Sequence, residues 1–304
     1  MRSVLLLIIW ILIAADIEAH EVKFCVSDGV TNDTVKARIE GSVSLILSEI
    51  NASQEFKRPL DLSGMGLFTR VQQSIGMLLD NCPLICSDND IIEHCITTGT
   101  GYQVRNIPLI MKTRDENGLI EEEYQEAIVN FDKQGNIENF YLSVLSDLSS
   151  RVIRTDLDST DLKHRGYILD YIEQLRTAYN QKDIKFIEHV FEDDGIVEIN
   201  GQKELKEKYL RNLQKAFLNN DNVKVTFEDI EVMRHPVNPN FYGVTLLQGW
   251  TSGKYHDDGY LFLLWDFTNE NAPQIHVRTW QPDKIGGKPL PKDEVFTLDD
   301  FDIN

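Results

Sequence analysis

A histidine, an arginine and an aspartate near the C-terminal end of the chain have the side-chain types that acid–base chemistry uses. His276 and Arg278 alternate on one predicted strand, and Asp266 ends the strand before it. Residues two apart on a strand share a face, so His276, Arg278 and Trp280 are expected on one side. A histidine beside an aspartate can act as a general base, and an arginine can steady an anion. These residues are therefore the catalytic candidates, with His256 as the alternative base.

The same residues also have a structural interpretation. His276 and Arg278 can pair with Asp266 across neighbouring strands without doing chemistry. His256 and the two aspartates after it follow a turn, which is typical of an exposed rim. The residue pattern therefore assigns no catalytic residue, and it predicts neither a metal site nor a cofactor.

Four consecutive strands position these side chains. Alternating apolar residues predict strands over Val223–Arg234, Phe241–Trp250, Tyr255–Phe267 and Gln274–Gln281. The joints contain prolines, glycine, asparagine and aspartate, which favour turns. Four strands in series with short joints predict an antiparallel meander.

Three helices and a hairpin precede the meander. Helical spacing of apolar residues predicts a long helix from about Asp161 to Tyr179 and a short one over Ile184–Phe191. Asn200-Gly201 is a strong hairpin signal, and a third helix is expected over Lys203–Leu218.

This order of elements resembles the nuclear transport factor 2-like superfamily, also called SnoaL-like or ketosteroid isomerase-like. The resemblance covers residues 160–285 and is closest to an exported bacterial branch without an assigned activity. It is carried by RGYILDYIEQLRTAYNQKDIKFIEHVF, FEDIEVMRHPVNPNFYGVTLLQGW, YHDDGYLFLLWDF and QIHVRTWQPDK. It implies a cone in which a curved antiparallel sheet wraps on three helices and leaves a pocket with apolar walls and a few polar groups.

The resemblance implies where a ligand would bind, although the pattern does not tell which face of the sheet lines the pocket. The expected ligand-binding residues lie on the first helix and three strands: Tyr167, Tyr171, Gln248, Trp250, Tyr260, His276, Arg278 and Trp280. Enzymes of the superfamily use a carboxylate or histidine base with a tyrosine or a second acid, and none of those matches residue by residue here. The expected function is binding of a small ligand or an envelope partner without turnover. The alternatives are a hydrolase, isomerase or dehydratase acting in the pocket, and a module that forms dimers through the sheet.

The first half of the chain predicts a smaller α+β domain. Apolar stripes indicate two helices, one near residues 35–50 with Asp33 or Thr34 as its cap and one near residues 68–79. Strands are expected over Ile107–Met111, Tyr124–Phe131 and Ile137–Val144. Together with the second half they make the whole chain α+β.

The domain plan has four parts. Residues 1–19 carry Arg2, an apolar run and a cleavage-like site before His20, which predicts a removable export signal, with an uncleaved N-terminal anchor as the alternative. Residues 20–155 and 156–285 are the two domains, with a polar boundary at Asp156–His164. Residues 286–304 form an acidic, extended tail that is expected either to dock on the chain or to be disordered. The expected location is the periplasm, the cell envelope or the extracellular space.

Charge and cysteine content limit the partners. The chain has 304 residues and a formal net charge of -19. This charge argues against nucleic acid or an anionic membrane surface as the main partner, because phosphate binding needs a basic surface.

The four cysteines, Cys25, Cys82, Cys86 and Cys95, allow three disulfide pairings. Disulfides or buried thiols are favoured over a zinc site with His94, because the spacing fits no standard zinc motif.

Overall fold

The computed structural model describes residues 21–81, 83–114, 119–144, 152, 159–199, 201–220, 222–285 and 288–290. The predicted export signal, Cys82, Asn200 and tail residues 291–304 lie outside this range. The described residues form two compact units. Residues 21–76, 83–113 and 120–140 make the first, and the chain from residue 141 onward makes most of the second. The expected α+β class is confirmed.

The first unit has an antiparallel sheet and a separate parallel pair of strands. Helix α1 (Asp33–Glu55) lies in this unit, and α2 (Thr69–Asn81) begins in it. The strands are β1 (Lys23–Val26), β2 (Leu84–Cys86), β3 (Asp90–Glu93), β4 (Cys95–Thr97), β5 (Gly101–Arg114), β6 (Ile120–Asp132) and β7 (Ile137–Leu142). The sheet order is β2-β5-β6-β7 with β4 also on β5, while β1 pairs in parallel with β3. Strands β1–β4 were not predicted, because three or four residues are too few to show alternation.

Side chains of α1 bond the backbone of β1. Ser48, Ser44 and Glu40 accept hydrogen bonds from the backbone N–H groups of residues 22, 24 and 26 at 2.8, 2.9 and 2.8 Å. Residues four positions apart lie on the same face of a helix, and the N–H groups of residues two positions apart point to the same side of a strand. The three acceptors of α1 therefore line up with the three donors. The helix cap differs from expectation, since Asn32 and not Asp33 or Thr34 accepts from the first-turn N–H groups.

The second unit packs its helices against a six-stranded sheet. Its helices are α3 (Ser159–Gln181), α4 (Ile184–Val190) and α5 (Lys206–Asn219). Its strands are β8 (Phe191–Ile199), β9 (Gln202–Leu205), β10 (Val223–Arg234), β11 (Phe241–Ser252), β12 (Tyr255–Asp266) and β13 (Gln274–Pro282), with a short pair formed by β14 (Lys284–Ile285) and β15 (Lys288–Pro289). The order β10-β11-β12-β13-β8-β9 contains the predicted antiparallel meander, and β8 joins β13 in parallel.

Two boundaries in this unit differ from those predicted. Residues 203–205 belong to β9 instead of the third helix, because Gly201, at φ +75°, closes a hairpin that pairs β9 with β8. The predicted polar boundary is partly helical, since α3 already begins at Ser159. Asp161 and His164, which belong both to the predicted boundary and to the predicted long helix, are buried in that helix.

The two faces of the six-stranded sheet have different surroundings. We call the side packed against α3 and α5 the helix face; it includes Tyr242, Val244, Leu246, Leu261 and Leu263, all in the main core. The opposite side, the outer face, carries a smaller cluster formed by Phe262 and Leu264, with Phe241 and Val277 packed against them. Any candidate pocket residue can therefore be assigned to a face from its register.

A bulge changes the predicted alternation of β13. Leu264 pairs with Val277 but Trp265 pairs with Ile275, so one residue is extra. Ile275 lies in the core of the helix face, and Arg278, three residues on, also faces it, packed over the ring of Tyr209. His276 and Val277 are therefore together on the outer face. The prediction that His276 shares a face with Arg278 is wrong, because a bulge shifts the period by one residue.

Candidate functional site

Arg278 is the charged residue at the centre of the helix face. It is 4% exposed, although its guanidinium carries a full positive charge. Its Nη2 donates to Gln248 Oε1 at 3.4 Å, while Nε and Nη1 have no hydrogen-bond partner in the part of the chain that is described. Buried donors are usually satisfied, so two guanidinium nitrogens without an acceptor make Arg278 a candidate for ligand contact.

Two tyrosines lie beside this guanidinium. The Arg278 Cζ atom is 4.8 Å from the centre of the Tyr209 ring, which is a cation–π distance. The Tyr209 and Tyr179 hydroxyls are 2.6 Å apart and buried. Burial raises the pKa of the Tyr209 hydroxyl well above its ordinary value, although the positive charge of Arg278 acts in the opposite direction. Tyr209 therefore stays a neutral hydrogen-bonding group.

Glu204 lies in the same row of the sheet as Arg278. Glu204 pairs with Val197, and Val197 pairs with Arg278, so the three side chains point to one face. Glu204 Oε2 is 2.9 Å from Lys208 Nζ, whereas its Oε1 is buried and has no partner among the described residues. Burial alone would lower the pKa of Arg278, but Tyr209, Tyr179 and Glu204 outweigh it and the pKa is raised. The guanidinium is therefore charged.

Aromatic side chains form the apolar surroundings. Trp250 stacks on Phe217 with 6.2 Å between the ring centres and meets Tyr179 edge-on. Trp280 covers Gly259 so closely that a Cβ atom there would be 2.5 Å from the indole. The predicted residues Gln248, Trp250, Arg278 and Trp280 are therefore brought together on the helix face. Within this group, Gln248 accepts a hydrogen bond from Arg278.

Three other predicted residues lie elsewhere. His276 Nδ1 is 2.6 Å from Glu192 Oε2, on the outer face. Asp266 accepts a hydrogen bond from the backbone of Thr268 at 2.7 Å and pairs with neither His276 nor Arg278. The expected contact among the three is therefore wrong, because it assumed unbroken alternation. Tyr260, which alternates with outer-face Phe262, is likewise not on the helix face.

The remaining candidates are only partly within the core. Tyr167 is 38% exposed and lies under Lys163 at a cation–π distance of 5.9 Å, so it is not a core residue. Tyr171 is half-buried against Trp265, with ring centres 5.1 Å apart. His256 is exposed and bonds Thr251 Oγ1 at 3.0 Å and Asp258 Oδ2 at 3.1 Å. This position agrees with the structural interpretation of His256 as part of an exposed rim.

A second buried polar cluster was missed from the sequence. His164 is 2% exposed and lies 3.2 Å from the Tyr242 hydroxyl, while its Nε2 has no partner among the described residues. The same hydroxyl bonds Asp161, whose carboxylate also accepts from Arg165 Nε at 3.2 Å. Burial lowers the pKa of His164 and raises that of Tyr242. The segment was predicted both as the polar boundary and as the start of the long helix, and its polar composition gave no sign that His164 is buried.

The first unit contains thiols and no assembled metal cluster in its described part. Cys25, Cys86 and Cys95 are free. Burial raises the pKa of the Cys86 thiol and that of Cys95, the latter to about 11. His94 bonds Asp28. Within the described ranges, no three His, Cys, Asp or Glu side chains lie together as metal ligands would, and no helix is long and apolar enough to cross a membrane.

Comparison of this chain with solved structures finds partial matches. Bd1075 of Bdellovibrio bacteriovorus matches at 16% identity and a TM-score of 0.36, over 49% of this chain and 46% of that protein. A protein from Cytophaga hutchinsonii matches at 15% identity and a TM-score of 0.33, over 39% of this chain and 97% of its own. A protein of unknown function from Nostoc punctiforme, with a cystatin-like fold, matches at 10% identity and a TM-score of 0.34, over 42% of this chain and 96% of its own.

The protein from Cytophaga hutchinsonii is described as nuclear transport factor 2-like. The second unit of this chain has two helices, a hairpin, a third helix and a meander, which is the order of elements expected from the sequence. No family model and no curated protein matches the chain. The architecture agrees with the cone expected from the sequence resemblance, and a fold specifies no reaction.

Proposed function

We propose that the chain is an exported bacterial envelope protein whose nuclear transport factor 2-like unit binds a small ligand on the helix face without converting it. Buried Arg278, with two unused donor nitrogens, is the observation that carries this proposal. Buried donors without acceptors cost free energy, so a ligand that accepts hydrogen bonds from Nε and Nη1 gains binding energy.

The distribution of acid–base groups supports binding over turnover. His276 and Glu192 pair on the outer face, and Asp266 bonds a turn. Neither imidazole proposed as a base, His276 nor His256, reaches Arg278. A general base must be within hydrogen-bond reach of the reacting proton.

An acid–base role is the second candidate, and His164 favours it. Its lowered pKa keeps the imidazole neutral near pH 7, and its Nε2 is an unused proton acceptor or donor in the described structure. A neutral imidazole beside a tyrosine hydroxyl can exchange a proton with a substrate. This role predicts product formation, which the binding proposal does not.

Ligand capture tests the proposal. The protein is purified from the exported fraction, examined intact by native mass spectrometry and then denatured to release what it holds. We expect a bound small molecule that is absent from Arg278→Met, and no change of that molecule on prolonged incubation followed by NMR. Wild-type protein that carries no ligand would contradict binding at Arg278, and a new product would support the His164 alternative.

Export is tested separately by sequencing the mature N-terminus. The proposal predicts that the mature chain starts at His20. An intact Met1 in protein from the cytoplasmic fraction would show that the export part is wrong while leaving the binding test unaffected.

A further inference from the structure

The unused polar atoms around Arg278 are of two complementary kinds. Arg278 offers N–H donors at Nε and Nη1, and Glu204 offers an acceptor at Oε1, and all three atoms are buried. Arg278 and Glu204 are not ion-paired with each other, although both belong to the described residues. Each is therefore left needing a partner that the other does not supply.

We propose that this position binds a small 2-hydroxy acid, whose carboxylate bonds Arg278 and whose hydroxyl donates to Glu204. This inference rests on the proposed ligand-binding function and names the ligand class. Arg278 needs an acceptor, and a carboxylate supplies one together with the opposite charge. Glu204 needs a donor for Oε1, and a hydroxyl next to the carboxylate supplies it.

The sheet places the two residues at a suitable separation. They lie in one row with only Val197 between them. Neighbouring strands are about 4.8 Å apart, so the two Cα atoms are about 10 Å apart across two strand spacings. Both side chains extend from the same face, so one ligand lying over Val197 can contact both of them. A carboxylate and an adjacent hydroxyl supply the acceptor and the donor that the two residues need, whereas a single-function ion satisfies one of them only.

The charges favour a hydroxyl over an ammonium as the donor. Glu204 already has Lys208 as its cationic partner, with 2.9 Å between Oε2 and Nζ. Its second oxygen therefore needs a hydrogen bond but no second positive charge. Burying an ammonium would add a desolvation penalty that a hydroxyl avoids. A 2-hydroxy acid consequently fits better than the corresponding amino acid.

The surroundings favour an apolar remainder on the ligand. The Tyr209 ring covers the guanidinium, and its hydroxyl is already bonded to Tyr179. Trp250 adjoins Tyr179 and stacks on Phe217. Aromatic surfaces that lack free polar groups gain most from contact with hydrocarbon.

Matched pairs of acids test the ligand class. Binding to the full-length mature protein is measured by titration calorimetry for lactate, 2-hydroxy-4-methylpentanoate and 3-phenyllactate, each against the same acid without its hydroxyl. We expect saturable binding of at least one hydroxy acid, about tenfold tighter than its matched acid because the additional bond is made to a charged acceptor.

Three variants assign the contacts. Glu204→Gln should reduce the tenfold preference for the hydroxy acid to about threefold or less, because the amide oxygen is uncharged. Lys208→Met leaves Oε1 in place and should keep the preference. Arg278→Met should abolish binding of both acids. The preference is the ratio of two affinities measured on one protein preparation. A fraction of unfolded protein in a variant therefore affects both affinities equally and leaves their ratio unchanged.

Two results would overturn this inference. One is equal affinity of the hydroxy and matched acids, which would remove Glu204 from the site. The other is an absence of saturable binding for all three hydroxy acids up to about 10 mM, where a millimolar site is mostly filled. If a captured ligand of another class still depends on Arg278, the inference fails while the proposed function stands. If no ligand depends on Arg278, both fail.

Discussion

The side-chain amide of Asn180 bonds both backbone groups of Val225 on the edge strand β10. Its Oδ1 accepts from Val225 N at 2.6 Å and its Nδ2 donates to Val225 O at 3.2 Å. The first unit repeats the arrangement, with Asn51 bonding Cys86 N at 2.6 Å and Cys86 O at 3.4 Å. An edge strand exposes unpaired N–H and C=O groups, and one amide imitates the missing neighbour strand.

Replacing Asn180 should therefore destabilise the second unit. Asn180→Leu leaves a buried N–H and a C=O of Val225 without partners, and we expect the free energy of unfolding to fall by about 2–4 kcal/mol. Asn271→Leu, in an exposed turn, is the control and should change it by less than about 0.5 kcal/mol. Denaturant unfolding measures both. Equal values for the two variants would show that the amide does not hold the edge strand.

Two glycine-to-alanine substitutions test the packing of Trp280. Gly259→Ala would place a Cβ 2.5 Å from both the Trp280 indole and the backbone oxygen of Gln281. We expect a loss of about 1–3 kcal/mol, because the backbone oxygen cannot move aside. Gly166→Ala, in the interior of α3 with nothing within 4 Å, is the matched control. It should stabilise by about 1 kcal/mol. Thermal melts that rank the two in the reverse order would contradict the close contact.

The strands of the meander and part of the site could be predicted from sequence, whereas the face of His276 and the place of Glu204 could not. Alternation of large apolar residues locates Val223–Arg234 to the residue, because a half-buried strand must alternate. The face of His276 was wrong because one bulge residue reverses the alternation, and a bulge needs the partner strand to be recognised.

Glu204 shows a second limit of sequence reasoning. The run KELKEKYL has helical spacing, so Glu204 was assigned to a helix. It lies instead in β9, where pairing with Val197 brings it into the row of Arg278. That row depends on β8 joining β13 in parallel, a contact between residues about 80 positions apart that no local pattern encodes.

The described cysteines should be thiols that react slowly in the native protein. Cys95 is fully buried with a pKa raised to about 11, and burial raises the pKa of Cys86. Alkylation needs an accessible thiolate, so iodoacetamide at pH 8 should leave both unmodified in the folded protein. After denaturation without reductant, mass spectrometry should find Cys25, Cys86 and Cys95 all alkylated. Unmodified Cys25 and Cys95 in that denatured sample would indicate a disulfide and contradict the free thiols.

The stability of the second unit should depend on the protonation of His164. Burial lowers its folded-state pKa below the ordinary value of 6.5, so the unfolded chain binds the proton more readily. The stabilising contribution is complete above pH 6.5 and is lost as the pH falls toward the folded-state pKa. The slope for one proton is at most about 1.4 kcal/mol per pH unit. His164→Phe should flatten the pH dependence of unfolding below pH 6.5, and the exposed variant His256→Gln should retain it. Parallel curves for wild type and His164→Phe would exclude this assignment.

Two buried arginines of the second unit should respond differently to the same substitution. Arg165 donates to Asp161 Oδ1 at 3.2 Å and to Val232 O at 2.9 Å, whereas Nε and Nη1 of Arg278 have no hydrogen-bond partner among the described residues. Removing one member of a buried ion pair leaves the other uncompensated, so Arg165→Met should lower the free energy of unfolding by about 3–5 kcal/mol. Arg278→Met leaves no carboxylate without its cation, because Glu204 keeps Lys208, so it should change the free energy of unfolding of the ligand-free protein by less than about 1 kcal/mol. Denaturant unfolding of ligand-free protein measures both. A large loss for Arg278→Met would mean that its charge is already compensated, which would also remove the reason for a bound anion.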